Sequence, residues 1–236
     1  MVEPKILRGK TSMVLYDGSQ LNGVPEAWFQ ESFWQNRDAV LTTVSGRGSV
    51  FVLDSQPNAW VLRHYRRGGL VARFVDDHYV WLGAERTRAF REWRFLASLL
   101  KQGLPVPRPV AAAVFRQGPV YKADIITTYL RDTRSLASLI SDTLNFGPAL
   151  EKIGRTLRTF HEKGVYHADL TAHNILLDLS NEVYLVDFDR GAFRRPGSWC
   201  QGNVDRLKRS LRKVAAETGT NLKESDWQRL KFGYGA

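Results

Sequence analysis

The sequence predicts an α+β chain of two lobes: an antiparallel sheet carrying one long helix, then a small, mainly helical half. Three observations predict it. Runs rich in Val, Ile, Tyr and Trp recur through the first 129 residues. One amphipathic helix interrupts them. After residues 129–134 the apolar spacing turns helical, so the boundary falls between a 1–129 lobe and a 130–236 lobe.

Taken in order, AWFQESFWQN has aromatics at 28, 29, 33 and 34, a helix-like apolar face. AVLTTVSGRGSVFVLD reads as two strands split by Ser45-Gly46-Arg47-Gly48, a hairpin signal, and AWVLRHY as a third strand. GAERTRAFREWRFLASLLKQG predicts the long helix. Phe90, Trp93, Leu96, Leu99 and Leu100 share a face, and Gly103 is a stop signal. PVPRPV is a turn, and PVAAAVF and PVYKADIITTYL are two more strands. In the second lobe SLASLISDT and FGPALEKIGRTLRTFHEKG predict helices, the second closing on Gly164. NILLDL and VYLVDFD predict a pair of short strands, and NVDRLKRSLRKVAAET and ESDWQRLKFG two final helices.

A net charge of +10 favours an acidic partner: nucleic acid, an anionic membrane face or a phosphorylated substrate. The bland alternative is a charge that serves solubility. A single cysteine, Cys200, excludes a disulfide framework and a four-cysteine zinc site, and suits a reducing compartment. The first residues carry no signal-type apolar run, and no segment has the length of a membrane span.

The chemistry concentrates in HADLTAHN, His167 to Asn174, and in VDFD, which begins at Val186. Asp169 and Asn174 are five apart, and Asp187 lies eighteen beyond Asp169. Three oxygen-bearing side chains at the ends of a small hairpin suit Mg²⁺ shared with phosphates, and do not suit zinc. The spacing fits the H-x-D…N catalytic loop and the first two places of D-F-G in the protein-kinase template. In phosphoryl transfer such an Asp accepts the proton of the attacking hydroxyl, and an Asn and an Asp hold Mg²⁺ on the phosphates. The alternative is a set of turn and capping residues. Under the kinase reading Gly46 and Gly48 cover the nucleotide phosphates, although Phe51 stands where a third glycine belongs. Arg63 occupies the lysine position, with Lys122 a rival. Glu92 is its expected ion-pair partner, with Glu85 the fallback.

Other features depart from protein kinases. No A-P-E follows Asp187, Thr171 stands where the template has lysine two places after the aspartate, and only about fifty residues follow Asp187. LRHYRRGG, REW, YHADLTAHNILLD, VDFDRG and NVDRLKRSLRK resemble the lipopolysaccharide core kinases, whose acceptors are 3-deoxy-D-manno-octulosonic acid (Kdo) or heptose. The resemblance runs from about residue 40 to 215 and is closer to the Kdo branch. It implies a two-lobed protein-kinase-like fold, ATP and Mg²⁺ as cofactors, and phosphorylation of the 4-hydroxyl of a Kdo sugar on a lipid A precursor. It also implies a Gram-negative source and a peripheral place at the cytoplasmic face of the inner membrane.

On that reading Asp169 is the catalytic base, and Gly46, Gly48, Arg63 and Glu92 serve the nucleotide. Asn174 and Asp187 hold the metal, and His167 braces the loop. Arg66 and Arg67 bind the acceptor's anionic groups. Arg206, Lys208, Arg209, Arg212 and Lys213, interleaved with Leu207, Leu211 and Val214, could rest on anionic headgroups or simply cover a core-facing stripe. No nucleic acid and no obligate protein partner is expected. The rivals are a heptose kinase of the same fold and a catalytically dead basic binding module.

Overall fold

A computed structural model describes residues 1–44, 50–55, 57–66, 77–141 and 147–235. The chain divides into two compact units. One is Met1–Gly103 with Pro107–Tyr129, the other Leu104–Val106 with Leu130–Ala236.

The first unit is built on β1 (Pro4–Arg8), β2 (Ser12–Asp17), β3 (Val40–Val44), β4 (Val50–Ser55), β5 (Asn58–His64), β6 (Tyr79–Val80), β7 (Pro109–Gln117) and β8 (Val120–Thr128). Among the described residues these form one antiparallel sheet in the order β1-β2-β7-β8-β5-β4-β3, with β6 also paired to β8. β1, β2 and β6 are strands that the sequence does not single out; β1 is exposed at the sheet edge with no long apolar alternation to mark it, and β6 is only two residues long.

The aromatic stretch at 27–36 is not one helix. It forms a 3-10 turn, Glu26–Phe29, and a short helix α1 (Glu31–Gln35), parted by Gln30 in extended backbone. That break lets both aromatic pairs reach the sheet. The Trp28 and Trp34 rings lie 5.0 and 6.1 Å from that of Trp60.

Helix α2 (Arg88–Lys101) buries Ala89, Phe90, Trp93, Leu96 and Leu99 along one stripe. Each large side chain contributes about 1.5–3 kcal/mol by leaving water. The helix ends where Gly103 takes a left-handed φ of 72°, which glycine adopts without a Cβ penalty.

The second unit contains β9 (Arg134–Ser135), α3 (Leu136–Ser141), α4 (Gly147–Glu162), β10 (Val165–Tyr166), β11 (Ile175–Leu177), β12 (Val183–Leu185), β13 (Ala192–Phe193), α5 (Ser198–Thr218) and α6 (Glu224–Tyr234). β11 pairs with β12 and β9, and β10 with β13, all antiparallel. α4 and α6 cross through two glycines. A Cβ on Gly154 would stand 2.1 Å from the Leu230 carbonyl, and one on Gly233 2.0 Å from that of Glu151. Only hydrogens allow this backbone approach.

On the same pair of helices His161 is buried, with Nδ1 2.7 Å from the Tyr234 hydroxyl and its ring against Trp199. Burial pushes its pKa down to about 4 from an ordinary 6.5. The unfolded chain takes up this proton near pH 6.5, and the folded chain resists it until about 4. The stability so contributed is complete above that window and is lost as pH falls through it, by roughly 3 kcal/mol. His161→Gln should therefore flatten the acid side of a urea-midpoint-against-pH curve. Parallel curves for the two chains would rule His161 out as the source.

Candidate active site

In the first unit, Arg63 projects from β5 and places Nη2 2.5 Å from Glu92 Oε1. The other oxygen of Glu92 accepts the Tyr65 hydroxyl at 2.5 Å. Glu92 lies on the buried stripe of α2, its side chain only 3% exposed. A carboxylate is tolerated there because both oxygens are engaged, one by a fixed positive charge. The two alternatives stand elsewhere. Glu85 is exposed and binds Arg94 through two contacts of 2.6 and 2.7 Å. Lys122 pairs with Asp77 at 2.7 Å. Beside Arg63, His64 Nδ1 meets Asp124 at 2.6 Å, and that hydrogen bond raises the histidine pKa. Gly46, Gly48 and Arg67 lie outside the described residues; Arg66 is exposed.

In the second unit the loop between β10 and β11 carries His167, Asp169 and Asn174, and Asp187 follows β12. His167 is buried and joins these pieces. Its Nε2 is 2.9 Å from the Val186 carbonyl, and its Nδ1 accepts the Asp169 N–H at 3.1 Å. One ring nitrogen donates and the other accepts, the pattern of a neutral imidazole. Burial lowers the His167 pKa, in keeping with that form.

Asn174 donates Nδ2 to the Asp169 carbonyl at 2.9 Å, and its own carbonyl accepts Val186 N–H at 3.1 Å. The loop is thus tied to the strand end that bears Asp187. Asp187 has a φ of 62°, a left-handed backbone that Asp tolerates better than most residues. Phe188 beneath it is buried and stacks on Phe160, ring centroids 6.0 Å apart. The Asp169 side chain is 60% exposed, open to a substrate.

A third element completes the site. Asn203, Arg206 and Ser210 stand at i, i+3 and i+7 on α5, so they share a face. Buried Asn203 accepts the His167 N–H at 3.3 Å and donates to the His167 carbonyl at 3.0 Å. Ser210 Oγ accepts the Ala172 N–H at 3.0 Å. Arg206 Nη1 lies 3.1 Å from Asp169 Oδ1. The sequence alone groups Arg206 with basic residues that could rest on headgroups or simply cover a core-facing stripe, and it does not single out Asn203 or Ser210. A polar i, i+3, i+7 row beside the apolar stripe was the available signal.

The interleaved Leu207, Leu211 and Val214 are buried in the unit's own core, so α5 has no apolar stripe to offer a bilayer. Its cations are also dispersed: Lys208 lies over the Trp227 ring and Lys213 pairs with Glu217.

The model of the lipopolysaccharide kinase (Kdo/WaaP) family matches residues 31–234. The chain belongs to that family. Proteins named 3-deoxy-D-manno-octulosonic acid kinase are among its relatives. One from Xylella fastidiosa is 40% identical over 94% of this chain and 88% of its own length. One from Vibrio cholerae is 38% identical over 88% of each chain. A solved structure described as WaaP in complex with acyl carrier protein has a TM-score of 0.55 over 90% of this chain and 88% of that one. At 16% identity it shows likeness of fold alone.

The fold of this family member is accordingly α+β and protein-kinase-like. Among the described residues of this lipopolysaccharide kinase, no three or more His, Cys, Asp or Glu group to hold a metal, and no helix is long and apolar enough to cross a membrane.

Proposed function

We propose that the chain transfers the γ-phosphoryl group of ATP to the 4-hydroxyl of a Kdo sugar on a lipid A precursor. The names of relatives about 40% identical over nearly the whole chain support the acceptor. The observation that carries the chemistry is the braced loop, in which His167 and Asn174 tie Asp169 to the strand end bearing Asp187.

Asp169 orients the acceptor hydroxyl and takes its proton as the new oxygen–phosphorus bond forms. The bond from the γ-phosphorus to the β-phosphate oxygen breaks, and its electron pair leaves with ADP. Asp187 and Asn174 supply oxygen donors of the kind Mg²⁺ takes, and that ion needs few protein ligands because phosphates and water complete its shell. The Asn174 amide nitrogen is committed to the Asp169 carbonyl, which leaves its Oδ1 for such a role. Mg²⁺ would neutralise charge on the β- and γ-phosphates. Arg63, braced by Glu92, contacts the α/β-phosphate region, with Gly46 and Gly48 over the phosphates. Arg66 and Arg67 take the acceptor's carboxylate and phosphates.

The enzyme works as a peripheral protein at the cytoplasmic face of the inner membrane of a Gram-negative cell. Its +10 charge is suited to an anionic surface and an anionic acceptor. The test is incubation with Mg-ATP and a Kdo-bearing lipid A precursor, read by mass spectrometry for one added phosphate. A silent reaction, with phosphate added instead to a heptosylated acceptor, would reassign the substrate.

A further inference from the structure

Resting on the kinase reading above, we propose that Arg206 of α5 is the cation of the phosphoryl-transfer centre. It stands in, from a distant part of the chain, for the lysine that the protein-kinase template carries two residues after the catalytic aspartate. Here that position is Thr171, which brings no charge. Arg206 instead reaches Asp169 across 37 residues, Nη1 to Oδ1 at 3.1 Å.

This contact does little for the fold. Its side chains are 45% and 60% exposed. A pair in that setting contributes about 0–1 kcal/mol. The loop is also held without it, by the two Asn203 bonds, the Ser210 bond and the two His167 bonds, all of which engage loop backbone or the buried imidazole. What Arg206 adds is charge at the one carboxylate that meets the acceptor.

The contact is one-armed, to Oδ1, so Oδ2 is left for the acceptor hydroxyl. A guanidinium has five N–H donors in a planar fork, and those not used on Asp169 can point at phosphoryl oxygens. Arg206 therefore does two things. It fixes the rotamer of Asp169, and it offsets repulsion between that carboxylate and the incoming γ-phosphate. As the acceptor oxygen–phosphorus bond forms and the bond to ADP breaks, the acceptor's proton passes to Asp169, and Arg206 stays charged throughout.

The test compares wild type, Arg206→Ala, Arg206→Lys and Asp169→Ala with Mg-ATP and the Kdo-bearing lipid A precursor. Arg206→Ala should lower kcat by about 10²- to 10³-fold. The KM for ATP should move less than about threefold, because Arg206 acts on Asp169 and the transferring phosphoryl group and not on the groups proposed to hold the nucleotide. The melting temperature should stay within about 2 °C, as expected for an exposed pair. Added guanidinium, or the lysine variant, should restore at least about tenfold of the lost kcat. Guanidinium should do nothing for Asp169→Ala.

A kcat for Arg206→Ala within about threefold of wild type would overturn the assignment. So would a loss that neither guanidinium nor lysine restores, since that is the behaviour of a structural residue. If wild type leaves the Kdo acceptor unphosphorylated, the acceptor reading fails on its own. Arg206 is then read by the same comparisons on transfer of the phosphoryl group from ATP to water.

Discussion

Asp169→Ala is expected to lower kcat by about 10²- to 10⁴-fold, the range for removing a positioned general base. The cost falls on chemistry and not on folding. The Asp169 carboxylate is exposed, and the bonds that shape its loop use its backbone N–H, held by His167, and its backbone carbonyl, held by Asn174. Truncating the side chain leaves both. Stability should thus change by less than about 0.5 kcal/mol, as at other exposed sites. Mg-ATP binding, followed by calorimetry, should persist, because Asp169 is not among the proposed metal donors. Asp169→Asn keeps the shape and removes the base, and should be nearly as slow. A variant within about tenfold of wild type would mean that another group takes the proton.

Glu92→Ala should be costly in a different way. It removes a carboxylate whose two oxygens hold Arg63 and the Tyr65 hydroxyl inside the first unit. The tyrosine and Arg63, the latter only 21% exposed, each then lose the contact that Glu92 provides. Breaking a buried pair from one side costs about 3–5 kcal/mol. The lower end is expected here because Arg63 keeps some contact with water. Glu92→Gln retains the shape and an acceptor for Tyr65, and should lose about half as much. Under the proposed nucleotide role both variants should raise the KM for ATP, since Arg63 is no longer aimed. Urea midpoints beside ATP titrations check both claims. An unchanged midpoint for Glu92→Ala would show that the pair is not structural. An unchanged KM would separate it from the nucleotide.

The two predictions divide along what could be read from the chain. Local patterning reports which face of an element is buried. That made the strands at 50–55 and 58–64 and the helix at 88–101 legible, together with their stop at Gly103. The break at Gln30 was not legible, because it is decided by where Trp28, Trp34 and Trp60 find one another. The loop motif was visible because Asp169, Asn174 and Asp187 are close along the chain, and His167 lies in the same octapeptide.

The sequence by itself therefore determined the fold class, the longer strands and helices after residue 40 and the polar cluster around the loop. Only the tertiary structure decided what that cluster touches. Glu92 interrupts an apolar stripe, and nothing in its helix says that Arg63 and Tyr65 wait on β5. Leu207, Leu211 and Val214 read equally well as membrane-facing or core-facing until the unit closes over them. Asn203, Arg206 and Ser210 look like an ordinary polar row until α5 packs beside the loop. The physical reason is common to all three. Spacing encodes a direction relative to an element's own axis, whereas a hydrogen bond needs a partner within about 3 Å. For residues 27 to 38 positions apart here, that partner exists only after packing has brought the two segments together.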